Sequence, residues 1–182
     1  PDAVIVATGA PYSRGGRSIT FDADLPGYDQ PHVFRPEDIL LGGARPTGNV
    51  VLVDGEGLHT SAGVAELLAR SGAKVVYVSA GFSPLSPRLI DSFEARHVVQ
   101  RLKSVGVRFA PTTWVRRIDA TSVQVYDMHT EEERTLEANA VVLSTGRIPQ
   151  DALARALDGK VEQLFTIGDA LAARPLATAT YE

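Results

Sequence analysis

The 182 residues of this chain are enough for one ordinary domain, or for one domain and part of a second. Hydrophobic residues make up 44% of the chain and charged residues 22%, and the net charge of -4 argues against nucleic acid or an anionic membrane as the main partner. The lack of cysteine excludes disulfides, thiolate metal ligands and cysteine nucleophiles within these residues, and it indicates a reducing, cytoplasmic location.

The first half of the chain is predicted to contain a βαβ unit that follows a strand and a connector. In chain order its elements are a strand over 3–7, a helix over 35–41, a strand over 49–54, a helix over 61–71 and a strand over 74–79. These strands are continuous apolar runs, typical of strands buried on both faces of a parallel sheet. The irregular segment 11–48 is interpreted as a connector between two layers.

The second half continues this pattern and adds strands of a different kind. In chain order its elements are a helix over 87–105, a strand over 107–109, hairpin strands over 113–118, 122–129 and 133–137, a strand over 140–144, a helix near 151–157 and a strand over 164–167. The hydrophobic period is two residues over 113–137, which predicts antiparallel pairing. The inner face of helix 87–105 is predicted to carry Leu89, Ile90, Phe93, Val98 and Leu102. Residues 177–182 are predicted to lie in a further helix.

The turn after strand 49–54 has the position of a phosphate-binding turn but lacks the full pattern. Glycines at such a turn let the backbone approach a pyrophosphate, and the following helix adds partial positive charge. Here Thr60 stands in place of the third glycine, and Asp54 and Glu56 add negative charge beside the phosphate position. Strand 74–79 ends without an acidic residue for a ribose hydroxyl. The pattern argues against nicotinamide binding here and favours a fold that has lost this site.

Three short segments together resemble the flavoproteins that contain two dinucleotide-binding domains. Ala7-Thr8-Gly9-Ala10 and Thr145-Gly146-Arg147 resemble the two Thr-Gly strand ends of these proteins, and Gly168-Asp169-Ala170 resembles their flavin-contacting Gly-Asp motif. Within this superfamily, residues 53–57, 62–69 and 168–177 are similar to the trimethylamine dehydrogenase group, which belongs with 2,4-dienoyl-CoA reductase and the old yellow enzymes.

The resemblance implies a longer parent enzyme with a barrel that binds FMN, a 4Fe-4S cluster and an FAD-type domain into which an NAD(P)-type domain is inserted. In this chain, 45–150 would be the inserted NAD(P)-binding-like domain. Residues 1–44, including a linker, and residues 151–182 would be parts of the FAD-type domain. The implied fold class is α/β, a three-layer Rossmann-type parallel sheet of the FAD/NAD(P)-binding kind with an antiparallel crossover β-meander.

The resemblance also implies a partial site for FAD or ADP in this chain. Its residues, carried over position by position, would be Ala7, Thr8, Gly9, Ala10, Thr145, Gly146, Arg147, Gly168 and Asp169. FMN and the 4Fe-4S cluster would lie in the parent enzyme outside this chain, and use of NAD(P)H is disfavoured by the broken glycine turn. The four histidines lack the spacing of metal ligands. Neither a catalytic residue nor a metal site is expected here, so this chain alone should not catalyse.

The residues leave two other functions open. The chain could be the NAD(P)H-binding domain of a disulfide-reductase-like flavoenzyme. It could also be a non-catalytic docking domain for an electron-transfer protein. Under the main interpretation the partners are the upstream barrel of the same parent chain and an electron-transfer protein, without nucleic acid. A membrane is not expected either, because the apolar runs are far shorter than the roughly 20 residues of a membrane-spanning helix.

Overall fold

The computed structural model describes residues 2–18, 20–91 and 93–174, without the side chain of Arg88. The helix predicted over 177–182 therefore lies outside the described residues. The chain divides into two compact units. Unit 1 is formed by the described residues of 1–11 and 147–182, and unit 2 is formed by those of 12–146. The predicted domain boundaries after residues 44 and 150 concern the parent enzyme and stay predictions.

The secondary structure of the described residues alternates between strands and helices. In chain order the elements are β1 (Val4–Val6), β2 (Val33–Phe34), α1 (Pro36–Leu40), β3 (Asn49–Asp54), α2 (His59–Arg70), β4 (Lys74–Ser79), α3 (Pro87–Asp91), α4 (Ala95–Ser104), β5 (Arg108–Ala110), β6 (Thr113–Ile118), β7 (Ser122–Asp127), β8 (Glu133–Glu137), β9 (Ala140–Ser144), α5 (Ala152–Leu157), β10 (Leu164–Thr166) and a 3-10 turn (Gly168–Ala170). None of the described helices has the length and apolar character needed to span a membrane.

Unit 2 is built on a five-stranded parallel sheet with the strand order β2-β9-β3-β4-β5. The predicted bounds of β3, β4 and β9 are confirmed. Each of these three strands has an apolar centre rich in valine, which suits a strand with neighbours on both sides and packing on both faces. The carboxyl ends of the three strands meet because Asp54 is in register with both Ser79 and Ser144.

The two faces of this sheet carry separate hydrophobic clusters, because alternate residues of a strand point to opposite sides. On one face Val50 and Leu52 pack with residues of the helices, including Leu68 of α2 and Leu102 of α4. On the other face Val51 and Val53 pack with the antiparallel meander β6-β7-β8. Helices, parallel sheet and meander form three layers, which confirms the predicted fold class.

The prediction of a single helix over 87–105 is wrong, because the structure contains two helices, α3 and α4. Phe93 lies between them with φ of 60°, in the left-handed region that a right-handed helix cannot include. The side chain of Phe93 is 84% exposed and that of Ile90 is 46% exposed, so neither lies on the predicted inner face. Leu89, Val98 and Leu102 are buried as predicted.

Smaller differences concern element ends. The predicted connector 11–48 contains β2, which pairs with β9 although it has only two residues. Strand β7 ends at Asp127 rather than at residue 129, because the Asp127 carboxylate accepts hydrogen bonds from the backbone amides of His129 and Thr130 and forms a turn.

Unit 1 contains a two-stranded parallel sheet in which β1 pairs with β10, and helix α5 packs near β10. Val6 is buried, whereas the register neighbours Ile5 and Phe165 are 65% and 50% exposed. The prediction that strand 3–7 is buried on both faces is therefore wrong for the face that carries Ile5. The physical reason is the small size of this sheet, since two strands and one helix do not cover both of its faces.

Candidate functional site

The first Thr-Gly segment and the Gly-Asp motif leave neighbouring strands of unit 1. Val6 of β1 is in register with Thr166 of β10, and the Ile167 amide donates to the Val6 carbonyl over 3.0 Å. Residues 7–10 therefore begin beside the turn that contains Gly168 and Asp169. Parallel strands present their carboxyl ends at one edge of a sheet, where α/β folds bind ligands.

Both glycines at this edge have backbone conformations that favour glycine, with φ of 78° at Gly9 and 61° at Gly168. A Cβ atom added to either residue would meet no other atom within 4 Å. The space in front of both turns is therefore open, as the close approach of a nucleotide requires. The residues after β1 also form a fixed turn, because the Thr8 hydroxyl donates to the Gln150 carbonyl and the Gln150 amide donates to the Gly9 carbonyl.

Asp169 is held in place by two partners within unit 1. Nη1 of Arg147 donates to Oδ2 of Asp169 over 2.6 Å, and the Arg174 amide donates to Oδ1 over 3.0 Å. The side chains of Arg147 and Asp169 are 20% and 25% exposed, so the ion pair is partly shielded from water. The structure thus brings Arg147, which follows the second Thr-Gly strand end in sequence, to the Gly-Asp motif.

Thr145 and Gly146 belong to unit 2, where they follow β9. Gly146 packs closely on the backbone of its own unit, because an added Cβ atom would lie 2.8 Å from the Arg17 carbonyl oxygen. Thr145 is buried, and its hydroxyl has no hydrogen-bond partner among the residues that the structure describes. The nine predicted site residues are therefore divided, with seven in unit 1 and these two in unit 2.

The glycine turn after β3 contains a buried polar network that the sequence did not reveal. Asp54 is 2% exposed, and its Oδ1 accepts hydrogen bonds from the backbone amides of Glu56 (3.0 Å) and Gly57 (2.9 Å). The Ser61 hydroxyl donates to the same oxygen over 2.7 Å. The Tyr77 hydroxyl donates to Oδ2 over 2.6 Å. These four groups all act as donors to the carboxyl.

Burial changes the ionisation of this network. It raises the pKa of the Asp54 carboxyl above its ordinary value, against the hydrogen bonds from Tyr77, Gly57 and Ser61, which act in the opposite direction. Burial likewise raises the pKa of Tyr77 well above its usual value. Burial is also the main cause that raises the pKa of Tyr12 to about 12. The Tyr12 hydroxyl donates a hydrogen bond to the Glu56 carboxylate over 2.8 Å.

The raised pKa of Asp54 predicts a pH-dependent stability. Because the folded value exceeds the unfolded value of about 3.9, the stabilising contribution of Asp54 is fully present below pH ~4 and is lost as pH rises through the folded value. Asp54→Asn carries no titrating proton at this position. We therefore expect the stability of the variant relative to wild type to increase as pH rises above about 4, measured from urea denaturation midpoints. Equal pH dependence of the two proteins would contradict this assignment.

The glycine turn is also closed by backbone packing. A Cβ atom added to Gly57 would lie 2.4 Å from the Ser86 amide nitrogen, and one added to Gly55 would lie 2.1 Å from the Thr145 carbonyl oxygen. The space that the glycines make available is thus taken by the protein itself. Because the amides of Glu56 and Gly57 already donate to Asp54, the turn as it stands does not fit a bound pyrophosphate.

Beside the turn lies a cavity of about 430 Å³ with mainly apolar and hydroxyl-bearing walls. Phe21 and Trp114 line it, with their rings stacked at a centroid distance of 4.6 Å. Trp114 is 2% exposed and packs in the cluster between the sheet and the meander. Among the described lining residues neither lysine nor arginine occurs. The described residues also contain no cluster of three potential metal ligands.

The sequence contains one signal that could have identified the Asp54 network. Strand alternation places Asp54 on the same face of the sheet as Val50 and Leu52, the face covered by the helices. Because a carboxyl group on such a face requires partners, Tyr77 of the neighbouring strand becomes a candidate donor. The contributions of Ser61 and Ser144, which lie 2.7 Å apart through their hydroxyl oxygens, depend on the three-dimensional arrangement.

Comparison with known proteins agrees with this architecture. The pyridine nucleotide-disulphide oxidoreductase family matches residues 1–171. Dimethylamine dehydrogenase of Hyphomicrobium sp. is 25% identical in an alignment that covers 98% of this chain and 28% of that protein. Bilirubin reductase of Mediterraneibacter gnavus is 32% identical in an alignment that covers 93% of this chain and 24% of that protein.

Two solved structures of amine-oxidising enzymes have the same fold. The 6-hydroxypseudooxynicotine amine oxidase of Pseudomonas geniculata N1 is 38% identical, with a TM-score of 0.94 over 99% of this chain and 28% of that protein. Histamine dehydrogenase of Rhizobium sp. 4-9 is 26% identical, with a TM-score of 0.91 over 99% of this chain and 29% of that protein. This chain spans less than a third of the length of these relatives.

These matches confirm the predicted resemblance to the trimethylamine dehydrogenase group. They also confirm a flavoprotein fold of the kind that binds FAD or NAD(P). The family match covers the first Thr-Gly segment, the second Thr-Gly segment and the Gly-Asp motif. The chain belongs to the pyridine nucleotide-disulphide oxidoreductase family.

Proposed function

We propose that this chain is the C-terminal nucleotide-fold region of a multi-domain oxidoreductase of the amine dehydrogenase type, and that its unit 1 helps to bind FAD or ADP. The observation that carries this proposal is the edge of the β1-β10 sheet. Two glycine turns with open space, at Gly9 and Gly168, leave neighbouring strands there, and Asp169 is fixed beside them by Arg147. Such an edge suits a ligand that needs close backbone approach and a positioned carboxylate.

The chemistry of the bound group depends on its identity. FAD would supply a redox-active ring system, whereas ADP would serve as a structural ligand. The residues of this chain would bind and orient the group in either case: the backbone at 7–10 and Gly168 would allow its approach, and Asp169 would accept hydrogen bonds from it. Thr145 and Gly146 are proposed as further site residues on the basis of the family resemblance.

The proposed parent enzyme carries its other redox groups outside this chain. FMN and a 4Fe-4S cluster would be held by an upstream barrel region, since the chain contains no cysteine to ligate a cluster. The fragment alone would then have no catalytic activity. The amine-oxidising relatives support an amine as the substrate class. The enoyl-reductase alternative is supported by 2-naphthoyl-CoA reductase, whose structure is 25% identical with a TM-score of 0.77.

The exposed face of unit 1 supports a larger nucleotide-binding domain. Ile5 and Phe165 are register neighbours in a parallel sheet, yet both are at least half exposed. Parallel sheets normally have both faces covered, because their strands are apolar on both sides. We propose that further residues of the FAD-type domain cover this face in the parent enzyme, in agreement with the domain division 1–44, 45–150 and 151–182.

The electron acceptor is proposed to be an electron-transfer protein in the cytoplasm rather than NAD(P)+. The glycine turn of unit 2 supports this choice, because its amides already donate to groups within the protein. The same observation disfavours the disulfide-reductase-like alternative, which requires a nicotinamide nucleotide at this turn. The docking-domain alternative differs from the proposal in having no bound adenine nucleotide.

A matched pair of glycine variants tests the cofactor site. Gly9 and Gly159 both belong to unit 1, both have positive φ (78° and 67°), and both have open space at the Cβ position. Substitution by alanine therefore introduces similar backbone strain of about 1 kcal/mol at each. We expect Gly9→Ala to retain less than a tenth of the bound adenine nucleotide, because its methyl group enters the site, and Gly159→Ala to retain it.

The measurement is the amount of FAD or ADP released when the intact protein is denatured, identified by mass spectrometry. The wild-type protein is expected to release one molecule of FAD or ADP per chain, which is the nucleotide bound with the help of unit 1. A wild-type protein without FAD or ADP would refute the proposed site and favour the docking-domain alternative. Equal retention by the two variants would show that Gly9 does not line the site.

A further inference from the structure

The glycine turn of unit 2 has its backbone donors occupied in succession. The Gly55 amide donates to the Ser144 carbonyl over 3.1 Å. The next two amides, of Glu56 and Gly57, both donate to Oδ1 of Asp54. Phosphate groups bind at such turns by accepting hydrogen bonds from these backbone amides, so a phosphate arriving here would have to displace a buried carboxyl.

Asp54 also reaches the start of the following helix. Helix α2 begins at His59 with no side-chain cap from Leu58 and no acidic residue in its first turn. Ser61, in that first turn, donates to the same Oδ1 atom over 2.7 Å. The carboxyl group therefore contacts both the turn amides and a side chain of the first helical turn.

We propose that Asp54 is the specificity-determining residue that excludes phosphate-bearing nucleotides from unit 2, because its carboxyl oxygen occupies the amides that a phosphate requires. This exclusion depends on hydrogen-bond occupancy at the turn rather than on negative charge alone. Glu56 provides the contrast, since its carboxylate accepts a hydrogen bond from the Tyr12 hydroxyl. The proposal concerns unit 2 and stands independently of the cofactor proposed for unit 1.

Three variants distinguish the effect of occupied turn amides from the effect of negative charge at the turn. For each variant, NADH binding to the intact protein is measured by titration calorimetry. Asp54→Ala removes the acceptor and releases the amides, so we expect NADH to bind at least tenfold more tightly than to wild type. Asp54→Asn removes the charge but keeps an oxygen that can accept from both amides. Glu56→Gln removes a neighbouring charge and leaves Asp54 in place. We expect the last two variants to remain within threefold of wild type.

A double variant replaces Asp54→Ala in this test if the single variant does not fold. If Asp54→Ala does not fold, the double variant Asp54→Ala with Tyr77→Phe removes the hydroxyl that would lose its buried acceptor. The same tenfold gain in NADH affinity is expected for this protein. Binding elsewhere in the protein is common to all variants, so the differences between them report on the turn.

Several results would overturn the proposal. These are micromolar NADH binding by wild type, an equal gain for Asp54→Asn and Asp54→Ala, a gain for Glu56→Gln, or no gain for a folded variant that lacks the carboxyl. The adenine nucleotide released from the same preparations reports separately on unit 1. It should be unchanged by substitutions at Asp54, so failure of one proposal is distinguishable from failure of the other.

Discussion

Asp54→Ala is expected to lower the local stability of the unit 2 sheet by about 3 kcal/mol. The Tyr77 hydroxyl, which is fully buried, would lose its acceptor, and the amides of Glu56 and Gly57 would lose theirs. Each buried polar group left without a partner costs about 1–3 kcal/mol, and less where water can enter. The cavity beside the turn gives water a route to the amides but not to the fully buried tyrosine. The sum for the three groups therefore stays near about 3 kcal/mol, the lower end of the roughly 3–9 kcal/mol that three such groups allow.

Amide hydrogen exchange measures this loss of stability within the unit 2 sheet itself. The amides of Val51 and Val53 belong to the central strand β3, and their exchange reports opening of the sheet. Asp54→Asn is the matched control, because its amide oxygen can accept from the turn and its shape is nearly unchanged. We expect the control to remain within about 1 kcal/mol of wild type. Similar exchange in the two variants would show that the hydrogen bonds of Asp54 do not stabilise the sheet.

Trp114→Ala is expected to lower the local stability of the meander by about 3–5 kcal/mol. Trp114 is 2% exposed and is packed among the residues between the sheet and the meander, including Val53 and Val125. Truncation would remove the largest side chain of this cluster, leave a cavity, and deprive Phe21 of its stacked partner. This loss of stability exceeds that expected for Asp54→Ala, because the β-branched side chains around Trp114 can fill little of the space that the truncation leaves.

The test uses hydrogen exchange of the β6 and β7 amides. Tryptophan fluorescence cannot report on the unfolding of this variant, because Trp114 is the only tryptophan of the chain. Phe82→Ala is the control. Phe82 is also aromatic and lines the same cavity, but it is 84% exposed, so we expect a change of less than about 0.5 kcal/mol. A loss below about 1 kcal/mol for Trp114→Ala would contradict the structural role assigned to this residue.

The parts of the fold that sequence patterns predict well are those with a single strong hydrophobic period. Residues 49–54, 74–79 and 140–144 are continuous apolar runs, and their strand bounds agree with the structure. The change to a period of two predicts the meander for the same reason. These patterns arise from burial, and burial is what the sequence encodes most directly.

The parts that the sequence does not reveal depend on single residues or on distant contacts. The spacing of apolar residues continues through 87–105, but the left-handed backbone at Phe93 interrupts the helix, and periodicity carries no information about one φ angle. For the candidate site, the three short motifs were recognisable, whereas the ion pair between Arg147 and Asp169 was not. The network of Asp54 was interpreted only as excess negative charge, because its donors come from a turn, a helix and a neighbouring strand.

The position of β9 has a consequence for the nascent chain. This strand lies between β2 and β3, although it is synthesised after the entire meander. Until residues 140–144 leave the ribosome, β3 has an open edge and β2 has no partner in the sheet. Unpaired edges can pair with other chains. Cotranslational protection of the β3 edge by a chaperone should therefore matter most while the meander is being made, and arrest of translation before residue 140 should increase aggregation.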